Sequence, residues 1–432
     1  MNIHLKALGC RLNEAELEQW SRDFIMNGHH IVKDAREADI VVLNTCAVTT
    51  EATKKSRKLM NRLHRENPQS KLVVSGCYAT LEESDVANRL GVDLVVNNQD
   101  KEKLPSRVMQ EFSANTMPLV AMEPEESSLF LRGKQRAFIK IQDGCRYRCT
   151  FCIVTVARGE ERSRLLTDIV DEVNLLYQQG IQEVVLTGVH VGGYGSDIES
   201  SLYQLVNALL VETDMPRIRF ASVEPWDLPE VFFGLFENSR LMPHMHLPLQ
   251  SGADSVLRRM SRRCKIADFS SLINQARDVI PNFNVTTDII VGFPGETDAE
   301  WQQTMEAIEA IGFGHIHIFS YSPREGTKAS RLANPVGSEI KKSRSLELHD
   351  LADKLKQAML QQQLNQTVEV LWESPKASDL VNKQGVRYEG YTPNFCRVET
   401  YVENTVLLES RIKSTTLMGL SDNKGFLTGK VS

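Results

Sequence analysis

Three thiols fall within eight residues in Cys145-x3-Cys149-x2-Cys152, a closeness that suits one polynuclear centre. A 4Fe-4S cube is normally held by four thiolates, so a loop offering three leaves one iron open to a further ligand. An open iron points to catalysis. Zinc or plain structural thiols are the alternative, but zinc generally takes a second pair of Cys or His at similar spacing, and none lies nearby. A second set, Cys10, Cys46 and Cys77, is spread along the chain, yet each falls just beyond an apolar run of strand length. In an open parallel sheet the C-terminal strand ends share one edge, where ligands bind, so these three are expected to converge as a second three-thiolate site. The competing reading is three buried cysteines acting as small hydrophobes. Cys264 and Cys396 lack partners at ligand spacing and read as structural.

Weaker polar candidates accompany the thiols. Gly188, Gly192 and Gly193 follow one apolar run, and Gly292-Phe-Pro-Gly295-Glu296 follows another; glycine lets backbone approach a ligand closely. Glu224, Gln250 and Asp288 lie at or near strand ends, where barrel enzymes carry their polar working groups. Basic residues cluster at 54–65, at Arg158, Arg162 and Arg164, and at 258–265. Solvated helix faces explain most such runs. The set from Arg158 to Arg164 differs because it directly follows the cysteine loop, so a polyanion held there would lie near the open iron.

The elements that must position these residues follow from the apolar pattern. Up to about residue 100, apolar runs at 3–8, 40–43, 72–74 and 94–96 alternate with helix-like stretches such as 14–27 and 51–66, as in an open parallel α/β sheet. Residues 113–135, with Pro118, Pro124 and an acidic, serine-rich run, suit a linker. Six candidate strands then follow at 138–142, 183–186, 217–222, 244–249, 285–291 and 315–321, with helical patterns such as 168–179, 201–212 and 298–310 between them. That is a (βα)6 succession, an incomplete version of the eight-fold barrel. Residues 339–366 read as one amphipathic helix expected to pack beneath the barrel. From Thr367, short strands at 368–372, 387–391, 397–402 and 406–409 indicate a small β-barrel or meander. The fold class is therefore α/β in three units: 1–112, 136–366 and 367–432, joined through 113–135.

Composition agrees with this and excludes other classes. At about 150 residues per domain, 432 residues give two to four units. With 41% apolar residues and a net charge of -6, disorder and indiscriminate polyanion binding are excluded. The unit from Thr367 carries eight basic and eight acidic residues, so its charge does not announce RNA. Eight cysteines are too few for a disulfide scaffold in so long a chain. No apolar stretch of 18 residues and no signal-peptide pattern occur, so no membrane association and a cytoplasmic location are expected.

Cys145-x3-Cys149-x2-Cys152 resembles the signature of the radical S-adenosylmethionine (SAM) superfamily. With Gly9-Cys10-Arg-Leu-Asn13, Asn44-Thr-Cys46, Ser75-Gly-Cys77 and the run Arg158 to Arg164, the chain is similar, over nearly its whole length, to the methylthiotransferases. The resemblance implies an N-terminal methylthiotransferase domain, a radical SAM barrel and a C-terminal TRAM domain. It implies two 4Fe-4S clusters, one on Cys145, Cys149 and Cys152 whose open iron chelates SAM, the other on Cys10, Cys46 and Cys77 carrying a sulfur to be methylated and delivered. One SAM would serve as radical source and one as methyl donor. It also implies an adenine-side aromatic at Phe151, adenosyl contacts from Asp288 to Gly292, and a methionine-side region at Gly188 and His190. The Cys10-Arg-Leu-Asn13 segment resembles the branch acting on threonylcarbamoyladenosine beside the tRNA anticodon; other branches act on isopentenyladenosine or on a ribosomal-protein aspartate. An external electron donor and a monomeric chain are the implied arrangement. Two further readings differ in class. Cobalamin in the first domain would call for Asp-x-His-x-x-Gly, which residues 1–110 lack. A non-enzymatic iron-sulfur module docking RNA or transferring electrons would gain nothing from an open iron.

Overall fold

The structure, a computed structural model, describes residues 1–112, 135–375, 385–403, 405–421 and 425–432. Residues 113–134 of the expected linker lie outside the described residues.

The N-terminal unit is a parallel sheet of five strands in the order His30–Ile31, Asn2–Ala7, Ile40–Thr45, Lys71–Gly76, Val92–Val96. Ile40–Thr45 is buried at every position, as a central parallel strand covered on both faces must be. Helices Arg11–Met26 and Thr50–Glu66 make the crossovers; the second is capped by the Thr49 side chain, which accepts from the Ala52 N–H at 3.1 Å. Ala7 aligns with Asn44, and Thr45 with Gly76, so three strand ends share one edge.

The central unit is a partial barrel of six parallel strands in chain order: Arg136–Lys140, Glu183–Thr187, Arg217–Phe220, His244–His246, Asn284–Val291 and His315–Ser320. Single bridges Ile218 to Leu241 and Ser222 to His246 join the third strand to the fourth. The period-2 alternation of strands sorts the side chains. Ala137, Ile139, Val184, Leu186, Ile218, Phe220, Met245, Val285 and Ile316 pack with the outer helices into the largest core, while Phe138, Val185 and Ala221 form a separate inward cluster with Ala15. Ala15 belongs to helix Arg11–Met26, which therefore covers the barrel beside its first strand.

The long helix, Ser338–Gln362, does not lie beneath the barrel. It flanks the last strand and helix Asp298–Ile311, held by Arg344 to Glu296 at 2.7 Å and Lys354 to Glu309 at 3.1 Å. The N-terminal strand ends are closed instead by the loop of residues 391–396. Arg219 donates to the Pro393 carbonyl at 2.9 Å, Asn284 to the Asn394 carbonyl at 2.8 Å, and the Phe395 ring stacks on His244 at 4.8 Å.

That loop belongs to a closed five-stranded barrel ordered Thr367–Trp372, Val386–Tyr391, Arg397–Val402, Leu427–Val431, Ile412–Leu420. Residues 406–409 form no strand; Leu408 drops into the core while Val406 and Leu407 face out, so the apolar run lacks alternation. The missed strands are Ile412–Leu420 and Leu427–Val431.

Candidate active site: two cysteine triads across a buried charged wall

The sheet edge gathers the first triad. Cys10 is the N-cap of helix Arg11–Met26, Cys46 directly follows Ile40–Thr45, and Cys77 opens helix Cys77–Leu81 straight after Lys71–Gly76. Gly9 has φ +99°, and a Cβ there would lie 2.6 Å from the Cys46 Sγ, so only glycine lets the Cys10 turn come this close. Asn13 fixes the corner. Its amide donates to the Leu8 and Thr45 carbonyls at 2.6 and 3.2 Å, and its Oδ1 accepts from the Cys10 thiol at 3.7 Å.

The second triad hangs on a tight hairpin, Gln142–Asp143 paired with Arg162–Ser163. Gly144, at φ +71°, has no room for a Cβ, which would meet the Glu160 carbonyl at 1.8 Å. The loop is strapped to the barrel rim: Thr150 donates through its N–H to the Met260 carbonyl at 3.0 Å and through its hydroxyl to Arg259 at 2.9 Å. Tyr147 donates to Asp227 at 2.8 Å, and His190 shares that carboxylate at 2.6 Å. Burial opposes a charged His190, but Asp227, Glu224 and Glu161 outweigh it and raise its pKa. Burial pushes the Cys145 thiol up to about 12 and Cys46 to about 11, so metal loading must release protons.

Between the triads runs a buried charged wall. Arg158, 2% exposed, donates to Glu16 and Asp143 at 2.9 Å and to the Asn13 Oδ1 at 2.9 Å. Lys101 donates to the other Glu16 oxygen at 2.7 Å, and Asn44 to the same oxygen at 2.9 Å. Asn98 donates to the Ala157 carbonyl at 2.8 Å and to the Cys77 Sγ at 3.8 Å. Burial alone would raise the Glu16 pKa, but Arg158 and Lys101 bring it down to about 2. Asp143, two residues before Cys145, is likewise lowered against burial, chiefly by Arg158 and Lys140. The Cys10 and Cys77 corner is thereby bonded directly to the base of the Cys145 loop.

Neither triad has mononuclear spacing. Tetrahedral zinc with Zn–S near 2.3 Å places sulfurs roughly 4 Å apart. Among the described residues, the group of three His, Cys, Asp or Glu with ligand atoms all within 4.8 Å is His246, Asp288 and His317. Three thiols held wider than a zinc site fit a polynuclear cluster.

The remaining expected site residues divide. Glu224 faces the Cys145 thiol electrostatically, its own pKa raised by burial. Gln250 has φ +80° and bridges to the fifth strand, donating its N–H to the Asp288 carbonyl at 2.8 Å; such strain is typical of functional rims. Phe151 packs against the buried cluster of Ala253, Val256, Met260, Phe293 and Ala329. Gly188 backs on Gln142, whose Oε1 accepts from the Val189 and His190 N–H groups at 3.1 and 2.9 Å. Gly292 turns against Lys341 and donates to Glu296 at 2.9 Å. His190 is fully buried among carboxylates. Arg158 was expected at a polyanion-facing surface, but its burial and three carboxylate and amide partners place it in the wall. Arg162 keeps a side chain 46% exposed, and Arg164 is held by Glu172 at 2.6 Å. Sequence reasoning missed Asn13, Glu16, Asn98, Lys101 and Asp143, and also Arg262, which reaches the Cys149 Sγ at 4.0 Å and stacks on Trp226 at 4.3 Å.

A cysteine loop after the first strand of an incomplete parallel barrel defines the class, a radical SAM enzyme, and the Radical SAM superfamily model matches residues 139–308. The TsrM methyltransferase from Kitasatospora setae shares the fold at TM-score 0.58 and 14% identity over 76% of this chain and 77% of that one. Residues 2–97 match the family described as "Uncharacterized protein family UPF0004". "Threonylcarbamoyladenosine tRNA methylthiotransferase MtaB" of Thermotoga maritima is 37% identical over 79% of this chain and 80% of its own. Its counterpart in Bacillus subtilis is 34% identical over 92% and 89%. "tRNA-2-methylthio-N(6)-dimethylallyladenosine synthase" of Oceanobacillus iheyensis is 33% identical over 96% and 83%. The chain belongs to the radical SAM methylthiotransferase family.

Proposed function

We propose that this enzyme methylthiolates C2 of threonylcarbamoyladenosine next to the anticodon in tRNA. Two relatives carry that activity in their names. The observation carrying the reading is the pairing of two cysteine triads across one buried wall, because C–H activation and sulfur delivery must act on a single carbon. In this reading Cys145, Cys149 and Cys152 hold one 4Fe-4S cluster, and Cys10, Cys46 and Cys77 hold a second. When bound, the first supplies the electron for SAM cleavage and the second the sulfur that is methylated.

The chain's own residues hold and shield that chemistry. Phe151, Gly188, Glu224, Gln250 and the strand end from Asp288 to Gly292 line the place of SAM, with His190 fixing Asp227 and Tyr147 behind the cysteine loop. Helix Arg11–Met26 covers the side of the barrel and Phe395 its bottom, closing the lumen against bulk solvent and side reactions. Arg162 is an exposed cation beside the loop and contacts tRNA phosphate, with Arg164 behind it. An external reductant serves the clusters, and the chain acts as a monomer. Mass analysis of tRNA nucleosides from cells lacking this protein tests the reading. The expected result is loss of the methylthio form of threonylcarbamoyladenosine with the isopentenyl counterpart intact; the reverse pattern assigns the chain to the other branch.

A further inference from the structure

The lumen of the partial barrel holds a polar cluster that the cysteine triads leave unused. His246 Nε2 closes on Asp288 Oδ1 at 3.2 Å, its ring centroid lies 5.4 Å from that of His317, and His315 meets His317 edge-on at 4.7 Å. The cluster occupies the last three strands, across the open side from the first. Arg11 enters at that opening. Its guanidinium lies 5.0 Å over the Phe138 ring of the first strand, its side chain is 60% exposed, and it pairs with the partly buried Glu14 at 3.2 Å. Its positive charge is also felt at His317.

Two histidines and a carboxylate could in principle take a divalent cation. The guanidinium decides against that: a fixed positive charge at the mouth repels a cation and draws an anion, and the Asp288 carboxylate is already engaged by His246. His246 is held at both ring nitrogens, by Asp288 and by the Thr286 hydroxyl at 2.9 Å, so what the lumen offers a small anionic, hydrogen-bonding group is the Arg11 cation and the exposed His317 imidazole beside that fixed ring.

Resting on the substrate reading above, we propose that Arg11, His246 and His317 form the pocket for the threonylcarbamoyl arm on N6 of the target adenosine, with its carboxylate at Arg11. Asp288 orients His246 in that pocket. Arg11 directly follows Cys10, and C2 and C6 of adenine flank the same ring nitrogen, so a base presenting C2 to the Cys10 triad carries its N6 arm to the neighbouring wall. A dimethylallyl arm has no polar atom to meet the Arg11 guanidinium or the His317 imidazole, the kind of mismatch that gives strong discrimination.

The test measures binding of three anticodon stem-loops to the cluster-loaded enzyme by fluorescence anisotropy: one with threonylcarbamoyladenosine, one with unmodified adenosine, and one whose arm carboxylate is capped as a methylamide. Wild type is expected to favour the free carboxylate over the capped arm by about tenfold or more, as a charge-assisted hydrogen bond allows. Arg11→Gln and His317→Ala, compared at equal iron content, are expected to bring that ratio near one, and Arg11→Lys to restore part of it. Equal binding of capped and free arms by wild type overturns the pocket without any variant. Discrimination that survives in both variants also overturns it, while leaving the substrate reading intact. If wild type neither distinguishes the modified from the unmodified loop nor methylthiolates it, the substrate reading itself fails. Stoichiometric zinc retained by wild type and lost in His317→Ala would make the cluster a metal site and overturn the proposal.

Discussion

Arg158 joins the two cysteine corners through Glu16, Asp143 and Asn13, all at 2.9 Å. Truncating it leaves two buried carboxylates without their main partner, and breaking such a buried pair costs about 3–5 kcal/mol. Arg158→Ala is therefore expected to lower the denaturant midpoint sharply, whereas Arg162→Ala, on an exposed side chain, should barely move it. Acid should act on the same charges. Glu16 and, through Arg219, Arg136 and Arg217, Glu183 are held down at about 2 against the burial that would raise them. A depressed folded pKa gives stability that is full above the unfolded value near 4.5 and lost as pH falls toward 2. Melting temperature should decline across that window, and Glu183→Gln should flatten the decline. The strand-end placement of Cys10, Cys46 and Cys77 was legible in the sequence because apolar runs and their ends are local signals. The wall was not, because Asn13, Asn98, Lys101 and Asp143 meet only after folding. Arg158 was misplaced because arginines beside a cluster loop look like a polyanion site when their burial is invisible.

At the scale of elements, the cysteine loop depends on one turn. Gly144 takes φ +71° where a Cβ would stand 1.8 Å from the Glu160 carbonyl, so Gly144→Ala must open the hairpin of Gln142–Asp143 with Arg162–Ser163. The expected outcome is loss of about four irons per chain, measured after reconstitution, with the triad at the sheet edge still loaded; full iron retention would show that the hairpin does not set the loop. Strand runs in the parallel units were readable because buried parallel strands are continuously apolar. The last unit was harder. Residues 406–409 look like a strand yet only Leu408 is buried, while Ile412–Leu420 carries a register shift between Leu417 and Gly419 that breaks its alternation. The helix Ser338–Gln362 was readable as a helix, but which face of the barrel it covers is a tertiary fact.

At the scale of the molecule, the three units close one barrel from different sides. The N-terminal unit covers the lumen with helix Arg11–Met26, and the C-terminal barrel seats Phe395 against its floor. Deleting residues 367–432 removes the carbonyl acceptors of Arg217, Arg219 and Asn284, so the shortened chain should melt lower and be cleaved faster by protease within the barrel strands. None of this closure could be read from periodicity, since it depends on docking between units. The central claim is that each cysteine triad holds its own cluster. Iron and sulfide counts on anaerobically reconstituted protein test it most directly. About eight irons are predicted for wild type, and about four for either the Cys10, Cys46, Cys77 or the Cys145, Cys149, Cys152 triple alanine variant. Four irons in wild type, undiminished when Cys10, Cys46 and Cys77 are replaced, would contradict the account.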